Sequence, residues 1–191
     1  MTPRKVSRVA LILVLSLLPA LAVGAPQARS GFLIKQVQIR PESGQLVLNA
    51  GVELGFNDTV LEALDHGVPL TLVFHIQVRR ARAWLWEDSL VDEQWRYTIR
   101  YRPLSERYEV HRLPSLNGRD FVTRDAAIRA LGELTDQPLI RLDRLDPNEE
   151  YELQIKVFLD IEELPLPLRP MAYLKPSWKL SSGWTTWPLK P

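Results

Sequence analysis

The segment YELQIKVFLDI, residues 151–161, decides the fold class of this chain. Every second position is apolar, and most of the positions between are polar. This period of two residues is that of a strand with one face against a core and the other face in solvent. A helix would need apolar residues spaced by three and four, so the segment is a predicted β-strand. Its apolar face consists of Tyr151, Leu153, Ile155, Val157, Leu159 and Ile161.

The same alternation recurs along most of the chain and predicts an all-β architecture. Six or seven strands are expected, with two short helices at 58–66 and 124–134 that begin after the capping residues Asn57 and Thr123. Long helices between the strands are missing, which argues against a parallel sheet. We therefore predict a mainly β protein, an antiparallel β-sandwich that is immunoglobulin-like or barrel-like. Besides 151–161, the predicted strands and extended pieces lie at 33–40, 46–54, 70–78, 95–101, 108–110 and around Trp178 and Trp184.

The first 25 residues form a separate unit. Arg4, Lys5 and Arg8 precede an uncharged apolar run, residues 9–23, which ends in small residues. This pattern is typical of a secretory signal peptide. An uncleaved N-terminal membrane anchor is the alternative, because no charge follows until Arg29. We predict a signal peptide or anchor at 1–25 and a single β-rich domain at 26–191, either periplasmic or anchored in the inner membrane and facing the periplasm.

Charge and cysteine content exclude several classes of protein. The chain has 24 Lys and Arg residues against 23 acids, but three of the basic residues and none of the acids lie in the first 25 residues, so the remainder has a net charge of −2. This balance argues against a nucleic-acid binder. With no cysteine, the chain cannot form disulfides, thiolate metal sites or a lipoprotein anchor. Membrane contact is expected only through an uncleaved N-terminal helix.

No sequence motif indicates an enzyme, a metal or a cofactor. The chain lacks the nucleophile elbow, the phosphate-binding loop, the dinucleotide fingerprint and the zinc-protease helix. His75 and His111 fall on predicted strands, and with Asp88 or Asp92 they would have the composition of a metal site. The predicted strand register does not bring those acids close, so no metal is expected. The acidic turn at 143–150 lacks the spacing and the Gly of a calcium loop.

Paired carboxylates keep one catalytic alternative open. Asp160 with Glu162 or Glu163 would provide the two acids that glycoside hydrolysis needs. Acids at this spacing are common by chance, and a non-enzymatic role is therefore favoured.

The predicted hairpin formed by 70–78 and 95–101 carries a more specific signal. With its tip at Asp88-Ser89, Val78 lies opposite Ile99 and Ile76 opposite Tyr101, which places the apolar rows on one face. The other face and the tip are rich in Arg and Trp, a combination that binds anions and stacks on rings. The predicted ligand-binding or partner-binding residues are Arg79, Arg80, Arg82, Trp84, Trp95, Arg96, Arg100 and Arg102.

An ordinary solvated sheet face is the competing interpretation of the same residues. In that case the arginines would pair with Glu106 and Glu109 on the neighbouring strand.

The C-terminal segment is rich in Pro and Trp. Residues 164–170, LPLPLRP, are predicted to run as an extended polyproline-like strap, because Pro is unsuited to helix interiors and central strands. Trp178, Trp184 and Trp187 follow. Either the strap crosses the sandwich and these rings close its open end, or the rings line a groove for a peptide or a glycan.

Three stretches of the chain resemble a known family. They are FLDIEELPLPLRPMAYLKPSWKLSSGWTTWPL at 158–189, YRPLSERYEV at 101–110 and DQPLIRLDRLDPNEEYELQIKV at 136–157. These stretches resemble a proteobacterial family of uncharacterised exported proteins, domain of unknown function 4390. The resemblance implies export and a similar length, and it supplies no activity or catalytic residues. Genes of that family often lie near a membrane sensor kinase, which implies a link to envelope signalling.

Together these features favour a non-enzymatic binding module of the cell envelope. Its partner would be an envelope or membrane protein, or an anionic ligand held by the Arg and Trp residues. The alternatives are an envelope-polymer hydrolase with carboxylates in an unrecognised arrangement, and a purely structural or assembly role.

Overall fold

The computed structural model describes residues 31–82, 89–115 and 117–190. The protein is mainly β, with nine strands in two antiparallel sheets and three short α-helices among these residues, consistent with the predicted β-sandwich. The predicted signal or anchor at 1–25 lies outside the described residues. The elements are β1 (Gly31–Glu42), β2 (Gln45–Gly55), α1 (Asp58–Asp65), β3 (Leu70–Arg80), β4 (Val91–Arg102), β5 (Arg107–Arg112), β6 (Gly118–Phe121), α2 (Arg124–Leu131), β7 (Glu133–Arg141), β8 (Tyr151–Leu159), α3 (Arg169–Leu174) and β9 (Ser181–Leu189).

The two sheets differ in size. The smaller has the order β1-β2-β7, and the larger has the order β6-β5-β4-β3-β8-β9. One face of each sheet faces the shared core, and α1 and α2 contribute their buried residues to that core. The other face of the larger sheet is called here the outer face.

The strand predicted most firmly, β8, lies inside the larger sheet. Leu153, Ile155 and Val157 are fully buried, and burying a side chain of this size contributes about 1.5–3 kcal/mol. The strand ends at Leu159, and Ile161 begins a single turn of 3-10 helix instead of continuing it.

The predicted register of the β3–β4 hairpin is wrong. Val78 pairs with Val91, and Ile99 pairs with Leu70. The prediction failed because β3 continues to Arg80 and β4 already begins at Val91, before its predicted start at residue 95. The predicted pairing is shifted by an even number of residues, so the apolar side chains of both strands still lie on one common face of the sheet, as predicted.

Two strands, β6 and β7, and one helix, α3, were not predicted from the sequence. β6 is a four-residue strand in a segment for which the sequence predicts no strand. β7 contains Pro138 and pairs irregularly with β2, so its sequence does not alternate cleanly. α2 ends at Leu131, before the predicted end at Leu134.

Gly132, between α2 and β7, approaches the backbone of β2 closely. Its carbonyl accepts a hydrogen bond from Val52 N–H at 2.8 Å. A Cβ atom at this position would lie 2.2 Å from the Val52 carbonyl oxygen. Only glycine fits this contact.

Both predicted helix caps are confirmed. The Asn57 side chain accepts from Val60 N–H at 3.1 Å, and its amide donates to the Ser177 carbonyl at 2.6 Å. Thr123 accepts from Ala126 N–H at 3.3 Å. Asn57 thus also fixes α1 to the C-terminal segment.

A polar cluster connects both of these helices to the larger sheet. The Tyr108 hydroxyl donates to Asp65 at 2.9 Å, and Arg124 binds the second oxygen of the same carboxylate. Desolvation and the hydrogen bond to Asp65 raise the pKa of Tyr108 to about 12.

The Pro-rich segment, Leu164–Lys175, is only partly as predicted. The expectation that it stays non-helical through Pro170 is wrong, because α3 begins at Arg169 with Pro170 in its first turn. Proline is tolerated there because the first-turn N–H groups have no partner in the helix. Of the tryptophans that follow, Trp178 is in the core and Trp187 packs against it, whereas Trp184 is 45% exposed.

All four sheet edges are interrupted. A register irregularity between Ile34 and Gln36 breaks β1 on one side of the smaller sheet, and Pro138 lies in β7 on the other side. In the larger sheet, β6 is very short, and β9 contains Gly183 at a φ of 70° and Pro188 near its end.

Candidate functional site

The structure distributes the predicted Arg and Trp residues over several places. Strand alternation puts Arg79, Arg96, Arg100 and Arg102 on the outer face of the larger sheet. Arg80 ends β3, Arg82 lies in the following turn, Trp95 points to the opposite face, and Trp84 lies outside the described residues. The seven predicted residues that the structure describes are therefore not brought together in one patch.

The corrected register explains why the arginines are apart. Arg79 lies beside the start of β4, whereas Arg102 lies at the end of that strand. A strand of this length separates them by on the order of 40 Å. A single small ligand cannot contact both.

Several of these arginines have acidic neighbours. Arg102 binds Glu109 through two nitrogens, at 2.8 Å and 2.7 Å, which confirms for this residue the alternative of an ion-paired sheet face. The highly exposed Arg82 lies 3.9 Å from Glu150. Arg96 is 3.7 Å from Asp160 and also donates to the Gln94 side chain.

Trp95 is a core residue. It is 5% exposed, pairs with Phe74 across the strands and donates its indole N–H to Glu93 at 2.7 Å. The Arg112 guanidinium lies 5.4 Å from the ring centre. Trp95 therefore cannot provide a stacking surface on the outer face.

A different group of residues comes together on the outer face. The strand pairing aligns Trp184, Lys156, His75 and Gln94 in one row across β9, β8, β3 and β4. The Lys156 ammonium lies 5.4 Å from the centre of the Phe158 ring and 5.9 Å from that of Trp184. The rings of His75 and Trp184 are 4.8 Å apart. This surface combines a cation with exposed aromatic area.

Beside this row lies a cleft between the outer face and the C-terminal segment. It has a volume of about 460 Å³. Its walls come from the middle of β4, the end of β8, the turn at 160–162, α3, residues 178–180 and the start of β9. The cleft residues are Gln94, Arg96, Lys156, Phe158, Leu159, Asp160, Ile161, Glu162, Tyr173, Trp178, Lys179, Leu180 and Ser181.

Charged groups of both signs line the cleft. Arg96, Lys156 and Lys179 provide positive charge, while Asp160 and Glu162 provide negative charge. The Asp160 side chain is only 13% exposed, and besides Arg96 it binds the backbone N–H of Glu162 at 3.1 Å. Arg96 and Asp160 therefore compensate each other in part, and Lys156 and Lys179 add further positive charge to the cleft.

Tyr173 and Trp178 add hydrogen-bond donors to the cleft wall. The Tyr173 hydroxyl donates to Glu162 at 3.2 Å, and desolvation together with this hydrogen bond raises the pKa of Tyr173. The Trp178 indole N–H is buried and has no hydrogen-bond partner among the described residues. An unpaired buried donor costs about 1–3 kcal/mol.

The histidines are not arranged as a metal site. His75 Nε2 lies 2.6 Å from Asp92, so the expectation that the register keeps this acid away was wrong. His111 lies opposite Thr98, further along the sheet than His75, which lies opposite Gln94. Within the described ranges, no group of three His, Asp or Glu side chains could hold a metal ion. Asp88 lies outside the described residues.

The residues that form the cleft were mostly missed by the sequence analysis. Lys156 and Phe158 are the outward positions of β8, and Trp184 belongs to β9. Their proximity to Arg96 depends on the pairing of β8 with β3, two strands that are distant in sequence. The outward alternation of β8 identified their face, but no local pattern identifies their neighbours.

The fold and the site define this protein as an antiparallel β-sandwich domain with a mixed-charge, aromatic cleft on the outer face of its larger sheet. Residues 29–188 match the family model described as Domain of unknown function (DUF4390), and the chain belongs to this family. Searches of the curated proteins and of the solved structures found no match.

Proposed function

We propose that this protein is a non-enzymatic binding module of the cell envelope that holds an extended segment of an envelope or membrane protein in the outer-face cleft. The observation that carries the proposal is the Lys156 ammonium, 5.4 Å from the ring centre of Phe158 and 5.9 Å from that of Trp184, in a cleft that Arg96 also lines. The signal-like pattern of the first 25 residues supports a periplasmic location, with anchoring in the inner membrane as the alternative. A link to envelope signalling is part of the same proposal.

The chemistry of the cleft favours an acidic segment with apolar or aromatic neighbours. Arg96, Lys156 and Lys179 would bind carboxylates, and an exposed cation near a ring gains roughly 0.5–1 kcal/mol from the ring. Phe158 and Tyr173 offer surface for apolar side chains. The volume of about 460 Å³ accommodates a few side chains. These features support recognition of a short stretch of chain.

Photocrosslinking in intact cells tests this proposal. A photoreactive amino acid replaces Trp184 in the full-length chain, and a second version carries it at Val122, which is 68% exposed and precedes α2. We expect discrete protein adducts from position 184 and not from 122. Mass spectrometry of the adducts identifies the partner and the contacted segment, which should be acidic.

Charge-matched variants make the test specific. In the version labelled at 184, Arg96→Ser should lower the adduct yield several-fold. Arg102→Ser removes the same charge from the same face outside the cleft, and it should leave the yield unchanged. Equal adducts at 184 and 122, or equal effects of Arg96→Ser and Arg102→Ser, would show that the cleft does not recognise a partner.

A hydrolase is the second candidate, because Asp160 and Glu162 line the same cleft. The contacts of Asp160 with Arg96 and with the N–H of Glu162 give this carboxylate a structural role, which weighs against catalysis. Incubation of the protein with peptidoglycan, followed by chromatography of soluble fragments, tests this candidate. Release of fragments that is abolished by Glu162→Gln would establish an enzyme and overturn the non-enzymatic proposal.

A further inference from the structure

The short helix α3 presents apolar residues to solvent. Ala172 is fully buried and marks the inward side of the helix. At about 100° per residue, Pro170 and Leu174 lie on the opposite side, with Met171 and Tyr173 between. Leu174 is 82% exposed. A helix on the surface of a soluble domain normally has charged or polar residues at these positions.

The preceding turn adds to this apolar surface. Leu166 is 72% exposed, and it lies between Pro165 and Pro167. The backbone of this turn is anchored to the domain, because Leu164 is fully buried and its carbonyl accepts a hydrogen bond from Arg169 Nε at 2.6 Å. The exposed apolar side chains are therefore fixed on the outside of the Pro-rich segment.

The charged residues within the Pro-rich segment and after it in the sequence are all basic. From Leu164 to the end of the chain, the sequence contains no Asp or Glu. The acids before it, Glu162 and Glu163, lie at the base of the segment, and Glu162 binds the Tyr173 hydroxyl. Basic residues adjoining an apolar surface are complementary to an anionic lipid bilayer. They are Arg169, Lys175 and Lys179.

The N-terminal end of the described chain lies close to the Pro-rich segment. Gly31, the first described residue, lines a surface depression together with Pro176, Ser177 and Ser181. The apolar run at 9–23 therefore precedes a domain whose N-terminal strand begins next to the end of the Pro-rich segment. A chain tethered to a bilayer by its N-terminal part would have this side close to the lipid.

We propose that the Pro-rich segment docks on the surface of an anionic bilayer, with Leu166, Met171 and Leu174 inserted at the level of the lipid head groups. The basic residues that flank it bind the anionic lipids. This contact shares Lys179 with the cleft but uses apolar side chains outside it, and it adds a membrane contact to the N-terminal helix considered from the sequence.

The absence of cysteine allows a direct test in the full-length chain. Leu174→Cys places a single thiol for an environment-sensitive fluorophore, and Leu104→Cys does the same at a fully exposed leucine in the β4–β5 turn. Each labelled chain is incorporated into vesicles of phosphatidylcholine alone or with phosphatidylglycerol. Lipids that carry a quencher near the head group report insertion.

We expect quenching at 174 to exceed quenching at 104 several-fold in the anionic vesicles. It should weaken in neutral vesicles, at high salt, and with Lys175→Gln and Lys179→Gln, because screening and charge removal weaken the lipid contact. Equal quenching at 174 and 104 in anionic vesicles overturns the proposal. Burial of the label at 174 only after envelope proteins are added also overturns it, in favour of a protein partner.

Discussion

Replacement of Gly132 by Ala tests the closest backbone contact in the sandwich. The φ of Gly132 is −82°, which any residue adopts. Ala has less backbone freedom than Gly in the unfolded chain, and this effect alone would stabilise the protein by about 0.4–1 kcal/mol. The added Cβ, however, would lie 2.2 Å from the Val52 carbonyl oxygen, and the backbone must shift to admit it.

That shift has a predictable cost. Overpacking a tight site costs about 1–3 kcal/mol, and weakening the bond from Val52 N–H to Gly132 O costs about 1 kcal/mol more. We therefore expect Gly132→Ala to lower the free energy of unfolding by about 2–4 kcal/mol, measured by urea titration with tryptophan fluorescence.

Gly51 provides a matched control for the Gly132 variant. It pairs with Glu133, the residue after Gly132, and its added Cβ would meet only the flexible Gln36 side chain at 3.2 Å. Gly51→Ala should change the unfolding free energy by less than about 1 kcal/mol. If Gly132→Ala is neutral, or if both variants lose the same stability, the close-contact reasoning is refuted.

Three further predictions concern side chains away from the cleft. Because the folded pKa of Tyr108 is about 12 against an ordinary value of 10.0, its contribution to stability is full below pH 10 and is lost as the pH rises towards 12. With allowance for solvent screening, urea titrations should show about 1 kcal/mol lost between pH 9 and pH 11, and Tyr108→Phe should remove this loss. Asn57→Ala removes a helix cap and the bond to Ser177, and should cost about 1–2 kcal/mol in the same assay; a neutral result would show that water replaces both bonds. Arg102→Ser should cost less than about 1 kcal/mol, since the Arg102 side chain is 54% exposed, and a larger loss in thermal unfolding would contradict this.

The sequence predicted the fold class because burial imposes a local pattern on each strand. The alternation in β8 and in the flanking β3 was sufficient to place their apolar faces correctly. β7 could not be found in this way, because Pro138 and its irregular pairing with β2 interrupt the alternation. Pairing register also depends on the loop between strands, and this is where the β3–β4 prediction failed.

The candidate site could be predicted only in part. Arg96 was identified from the sequence and lines the cleft, and the outer-face position of Arg100 and Arg102 follows from alternation. Lys156 was missed and Trp184 was identified only as a ring of a possible peptide or glycan groove, because their neighbours are set by pairing between distant segments of the chain. The grouping of Trp95 with Arg96 was misleading, because residues adjacent in the sequence of a strand point to opposite faces of the sheet.

The interruptions at the four sheet edges limit how copies of this protein can associate. An uninterrupted edge would recruit a strand from another molecule and start an amyloid-like stack. Here each edge strand disrupts such a template. The disrupting features are the irregularity in β1, Pro138 in β7, the shortness of β6, and Gly183 and Pro188 in β9. For a chain that has no disulfides to restrain it, this protection discourages polymerisation and leaves contacts with other molecules to side chains rather than to open backbone.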